Sequence, residues 1–285
     1  MNKIILGSAN FGSKYGVTNT NDCKILDVED IIDFAKKNEI KAIDTAPDYG
    51  DSEIILGNTG VNQFKISTKV NIPNHNNGLE KYLLNNVKTS LKRLKQKKVF
   101  SILFRKPGNL LNTRKIKLWN YAKELKSRGY FEKLGITIYD PEELHFTFNK
   151  LKPEIVQIPY NIFDQRFEKS GWLDKLHNEN IIIQVRSVFL QGLLLCSYED
   201  IPKNFKVYDK YWKAYKNWLS SENLTPIQAC INFNLQNKKI SNVIVGVESK
   251  KQLEEIIKVK KKIIKPPKIF DNISRQLIDP RLWRN

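Results

Sequence analysis

Lys41-Ala42-Ile43-Asp44-Thr45-Ala46-Pro47-Asp48-Tyr49-Gly50 decides how this chain is read, together with Lys65-Ile66-Ser67-Thr68-Lys69-Val70 a little further on. Both stretches read as short strands, and Asp44 and Lys69 stand where those strands run out. Tyr49 follows on the first exit loop. An acid, a phenol and an amine therefore leave two successive strands at one end. A phenol, with a reference pKa of about 10, is a poor proton donor at neutral pH unless its phenolate is stabilised. A neighbouring ammonium does that, and a carboxylate holds the ammonium in place. Singly, Asp44, Thr45 and Asp48 read equally well as helix caps; the combination at this spacing is the specific signal.

Outward from these two strands, short apolar runs alternate with longer amphipathic stretches, the pattern of parallel βαβ units. Strands are predicted at 4–7, 41–44, 64–69, 99–104, 133–137, 155–158, 181–186 and 242–246, with helices at 28–38, 52–58, 79–94, 113–128, 141–151, 172–178, 225–234 and 250–261. Gly7, Gly12 and Gly16 lack the G-x-G-x-x-G spacing of a dinucleotide fingerprint, so a doubly wound sheet is disfavoured. The expectation is an α/β protein, a (β/α)8 TIM barrel forming a single domain over 1–285. An aromatic-rich insertion at about 198–219 reads as an extra helix packing its stripe on the barrel, with a ligand-stacking lid as the alternative. A tail follows at about 266–285.

Across 285 residues, 41% are hydrophobic, enough for a sizeable core. The formal charge of +18 comes from lysines scattered along predicted helices, as at Lys88, Lys92 and Lys95, and reads as a solvated surface. No nucleic-acid motif and no long apolar run is present, so neither nucleic acid nor membrane is an expected partner. Cys23, Cys196 and Cys230 have no metal-like spacing, and no metal site is expected. The start, Met1-Asn2-Lys3-Ile4, has no leader pattern, and a reducing cytoplasm fits. Oligomeric state is left open.

The pattern Asp44, Tyr49, Gly50, Ser52, Glu53 with Lys69 resembles the aldo-keto reductase superfamily, and the resemblance runs nearly the full length. It implies NAD(P)H-dependent carbonyl reduction, or alcohol oxidation in reverse. Tyr49 would be the general acid, Lys69 would lower its pKa, and Asp44 would pair with Lys69. The family's fourth catalytic member is a histidine ending the fourth strand. In Ile102-Leu103-Phe104-Arg105-Lys106-Pro107, anchoring on Pro107 puts Arg105 in that place. A permanently charged guanidinium there is expected to depress the Tyr49 pKa further and to clamp a substrate carboxylate or phosphate. His75, in the loop after the third strand, is the one histidine placed to substitute; His145 and His177 fall in predicted helices.

The same resemblance implies a cofactor site made of Thr137, Gln157, Arg186, Ser187, Phe189, Gln191, Gly192, Gly246, Val247, Glu248, Ser249, Lys250 and Gln252. Arg186 stands where a tyrosine usually lies under the nicotinamide. Lys250 or Lys251 pairing with a 2′-phosphate would favour NADP, and Glu248 argues for NAD. The expected substrate is a small polar or anionic carbonyl compound such as a sugar derivative. The alternative is a catalytically weakened nicotinamide-binding homologue with a regulatory or binding role.

Overall fold

Short apolar runs hydrogen-bond side by side in chain order as β1 (Ile4–Gly7), β2 (Ala42–Asp44), β3 (Lys65–Val70), β4 (Val99–Arg105), β5 (Phe131–Thr137), β6 (Ile155–Pro159), β7 (Ile182–Arg186) and β8 (Asn242–Gly246). β8 pairs back onto β1, Ile4 opposite Val243 and Gly7 opposite Gly246, so the parallel sheet closes on itself. This computed structural model describes residues 3–13, 15–17 and 25–283, and its closed barrel is the (β/α)8 TIM fold the sequence pattern predicts. Cys23 and the first two residues lie outside the described residues.

Each parallel pairing needs a long crossover. The helices are α1 (Ile25–Lys37), α2 (Ser52–Asn58), α3 (Leu79–Leu94), α4 (Ile116–Ser127), α5 (Glu142–Leu151), α6 (Arg166–Lys169), α7 (Trp172–Asn178), α8 (Asp209–Ser221), α9 (Pro226–Gln236), α10 (Lys250–Ile257) and α11 (Arg275–Ile278). Helical periodicity decides what each buries. In α1, Val28, Ile31, Ile32 and Ala35 form one stripe, and all are fully buried. Thr225 starts α9 with a reciprocal capping box to Gln228, followed by Pro226 in the first turn.

α10 stops at Ile257, short of the predicted 261. Asn232 claims the chain beyond it, its Oδ1 accepting from Lys262 N at 2.9 Å and its Nδ2 donating to Lys260 O at 3.2 Å. A run of like charges and then Pro266-Pro267 complete the stop. Aromatic residues in the inserted segment face inward: Tyr211, Trp212, Tyr215 and Trp218 of α8 are all buried. Phe163 meets Trp212 and Tyr215 at ring separations of 5.1 and 5.6 Å, and Phe270 from the tail at 4.8 Å. Cys230 is buried and carries a free thiol. Among the described residues no helix is long and apolar enough to cross a membrane.

Candidate active site

Asp44 and Lys69 leave neighbouring strands, with Asp44 in register with Ser67 two residues before Lys69. Their side chains meet in the barrel mouth, Lys69 Nζ lying 2.6 Å from Asp44 Oδ2 and donating to Thr45 O at 3.0 Å. Both are buried. Gln157, on the far side of the barrel in β6, donates across the lumen to Asp44 Oδ1 at 2.8 Å. Thr137 Oγ1 donates to Gln157 Oε1 at 3.4 Å, and Gln157 Nε2 also reaches Gln184 Oε1 at 3.3 Å. This polar layer fixes both Asp44 oxygens. A buried ion pair survives only with such completed hydrogen bonding, and removing one partner typically costs about 3–5 kcal/mol.

Tyr49 sits on a turn whose shape two glycines permit. Gly50 has φ +56°, and a Cβ there would lie 2.1 Å from Gly12 O; a Cβ on Gly12 would lie 2.3 Å from Tyr49 O. Below the turn, Ser52 Oγ bonds Ser8 Oγ at 2.7 Å and Ser8 O at 3.0 Å, and Ser8 Oγ donates to Asp44 O at 3.1 Å. The half-buried Tyr49 ring is thereby held 5.0 Å from Lys69 Nζ. Arg105 ends β4, its Cζ 5.4 Å from the same ring and its Nη1 2.5 Å from Asp48 Oδ2. So the acid, amine, phenol and guanidinium do converge.

Burial holds the Tyr49 phenol well above its ordinary value, and the Asp44 carboxylate adds to the rise. Arg105 and Arg186 pull downward and are outweighed. Arg105 thus acts in the expected direction, but a half-open cation does not offset desolvation plus a buried carboxylate. Burial also lowers the Lys69 ammonium, with Asp44 opposing. His75 is exposed, its Nδ1 2.8 Å from Asn77 O and its ring packed edge-on to Tyr82. His145 packs against Trp172, and His177 is exposed on α7. Arg105, not a histidine, ends β4 beside Tyr49.

A cleft of about 830 Å³ runs from Asp44 and Tyr49 across the mouth to the start of α10. Of the predicted cofactor residues, Arg186, Ser187, Phe189, Gln191, Gly192, Gly246, Val247, Glu248 and Gln252 line it. Four do not. Thr137 and Gln157 belong to the lumen layer, Ser249 caps α10 by accepting from Gln252 N, and Lys250 turns toward Phe34 at 5.9 Å. The floor after β7 is left-handed at Ser187, Leu190 and Gln191, and Asn161 Nδ2 anchors it by donating to Ser187 O at 2.9 Å. Val17 N donates to Gln191 O at 3.1 Å, strapping the first loop across the cleft.

Sequence reading missed Asn10 and Tyr15 on the cleft wall, and also Tyr139, whose ring lies 4.0 Å from the Arg186 guanidinium and 4.5 Å from that of Arg281. Tyr139 meets Arg281 only through the docking of the tail, which no spacing in the sequence marks.

Fold and site define a TIM-barrel protein with its reactive groups and main cleft at the carboxyl ends of the strands. A sequence model of the aldo/keto reductase family matches residues 3–273, and the chain belongs to that family. Its members are NAD(P)H-dependent oxidoreductases acting on carbonyls and alcohols. L-glyceraldehyde 3-phosphate reductase of Escherichia coli (strain K12) is 24% identical over 234 residues, 74% of this chain and 67% of that protein. An aldo-keto reductase from Bacillus halodurans, solved in its holo form, superposes with a TM-score of 0.73 at 18% identity, covering 90% of this chain and 86% of the other. A glycerol dehydrogenase from Gluconobacter oxydans gives 0.72 at 18% identity, covering 94% and 90%. At that identity the two structures speak for the fold alone.

Proposed function

We propose that this protein is a carbonyl reductase, or alcohol dehydrogenase in reverse, acting with a nicotinamide dinucleotide on a small polar or anionic substrate such as a sugar derivative. The carrying observation is the Tyr49 ring packed on a lysine that is itself paired with a buried aspartate, at the edge of the main cleft. The cleft suits a dinucleotide in size. Its wall offers the buried Asn10 Oδ1, which has no donor, and Gly246, where a Cβ would meet nothing within 4 Å. Asp44, Tyr49 and Arg186 would flank the reactive ring, and Ser187 to Gly192 and Gly246 to Gln252 the remainder. When bound, the cofactor supplies or accepts hydride.

The Tyr49 phenol protonates the carbonyl oxygen, and Lys69 receives the developing phenolate charge. Asp44 and Gln157 keep Lys69 aimed at the ring. Arg105 takes a substrate anion in exchange for Asp48. The name of the E. coli relative, a glyceraldehyde 3-phosphate reductase, supports a small, sugar-derived substrate class. A weakened, cofactor-binding homologue is the competing reading, favoured by the closed Arg105–Asp48 pair.

One assay separates them. Wild-type protein is expected to oxidise reduced cofactor with a member of a panel of aldehydes, ketones and sugar carbonyls, and Tyr49→Phe to lose about 10²–10⁴ in kcat. Cofactor binding without turnover on any carbonyl would favour the weakened homologue, and full activity in Tyr49→Phe would remove Tyr49 as the acid.

A further inference from the structure

The charge of +18 is not spread evenly. From Lys258, just past α10, to Lys268 the chain carries six lysines and no acid. This strap is irregular, yet its backbone is fastened to the barrel. Besides the two bonds to Asn232, Gln236 of α9 donates to Ile264 O at 3.1 Å and accepts from Ile264 N at 2.9 Å. Ile264 turns inward and is buried, which leaves Ile263 90% exposed, the most exposed large apolar side chain among the described residues. Lys258 is held by Glu254 at 2.6 Å and Lys262 by Glu222 at 3.4 Å. Lys260, Lys261, Lys265 and Lys268 are exposed and make no ion pair among the described residues. Burial, and then the nearby Lys261, lower the Lys3 ammonium, which places Lys261 by the start of β1, at the amino ends of the strands and away from the mouth.

Unpaired cations around a protruding aliphatic side chain match the interface of an anionic bilayer. Ammonium groups reach the headgroup phosphates while lysine stems and an isoleucine enter the acyl boundary. Nucleic-acid surfaces instead bring aromatic rings for stacking and arginines for base edges, and 258–268 carries neither. We propose that this strap, through its lysines and Ile263, docks the protein reversibly on an anionic lipid surface with the cleft turned away from it. Such docking needs neither a nucleic-acid motif nor a long apolar run, the two features whose absence set the opposite expectation. It is independent of the nicotinamide-dependent reading above.

Flotation of the full chain with vesicles tests this. Binding is expected to phosphatidylcholine vesicles containing about one third phosphatidylglycerol, not to phosphatidylcholine alone, and is expected to fall as salt screens the surface. Each lysine near such a surface contributes roughly fivefold, so Lys260→Gln/Lys261→Gln/Lys265→Gln/Lys268→Gln should lose about 10²-fold or more in partitioning. Lys88→Gln/Lys92→Gln/Lys95→Gln/Lys97→Gln removes the same charge from exposed positions along α3 and just after it, and should lose less than about fivefold. Ile263→Ser should weaken binding about tenfold and leave its salt dependence unchanged. All these positions are exposed, so the fold is expected to survive each change. No binding to the anionic vesicles, an equal loss in the two quadruple variants, or undiminished binding by Ile263→Ser overturns the proposal. Capture of a duplex oligonucleotide by the same four lysines, without vesicle binding, overturns it in favour of nucleic acid.

Discussion

At Tyr49, burial and the Asp44 carboxylate hold the phenol protonated while Arg105 and Arg186 pull the other way. An acid whose pKa is raised keeps its proton to higher pH. Carbonyl reduction, which uses the phenol, is therefore expected to keep a flat kcat/KM from about pH 7 to the ordinary phenol value of about 10 and to fall only above it. Alcohol oxidation, which needs the phenolate, should climb over the same range. A reduction rate that falls between about pH 7 and 9 through ionisation of Tyr49 would contradict the burial account. Arg105 is tested at the same scale. Arg105→His removes a fixed charge from the mouth, so KM for anionic carbonyl substrates should rise about tenfold or more, with neutral ones little affected. An unchanged KM for anionic substrates would dissociate Arg105 from recognition.

Between elements, the close approach of the first and second βα loops sets where Tyr49 can stand. Gly50→Ala places a methyl 2.1 Å from Gly12 O in a left-handed turn at φ +56°. The conformational cost alone is about 1–2 kcal/mol, and the clash forces the loops apart. Both the denaturation midpoint and kcat should fall; stability and turnover at wild-type levels would mean that the turn relaxes without moving Tyr49. The convergence of Asp44, Tyr49 and Lys69 was legible in the sequence because successive parallel strands end at one face, so strand-end residues share a site. Ser187, Phe189, Gln191 and Gly192 came to the cleft by resemblance alone, and the left-handed backbone at Ser187, Leu190, Gln191 and Gly192 was not legible. Nor was the placement of Lys250. Successive residues of a helix point about 100° apart, so which side chains of a first turn face a cleft depends on a start position that spacing alone does not fix. Tyr139 and Arg281 were equally hidden, since only the docking of the tail brings them together.

Over the whole molecule, that docking ties the C-terminal segment to the cleft end of the barrel. Asp279 is fully buried and accepts from Arg281 Nε at 2.9 Å and Nη2 at 2.6 Å; Arg275 Nη2 lies 2.8 Å from Asp140 Oδ2 beside Tyr139. Arg281 and Arg186 share the Tyr139 ring, so the tail touches a residue that touches the cleft. The Arg275–Asp140 pair, half-exposed on its arginine side, contributes little, whereas the buried Asp279 and the buried Phe270 both anchor the tail. The Phe270 ring is fully buried, 4.8 Å from Phe163 and 6.3 and 6.4 Å from Tyr215 and Trp218 of α8. Phe270→Ala should therefore cost about 3–5 kcal/mol, a fall in Tm of roughly 6–20 °C for a chain of this size. Because one ring pins both α8 and the tail, thermal and denaturant unfolding should remain a single transition shifted downward. A separate early transition would instead mean that the tail and α8 unfold independently of the barrel, and a loss below about 1 kcal/mol would mean that this site collapses around the missing ring.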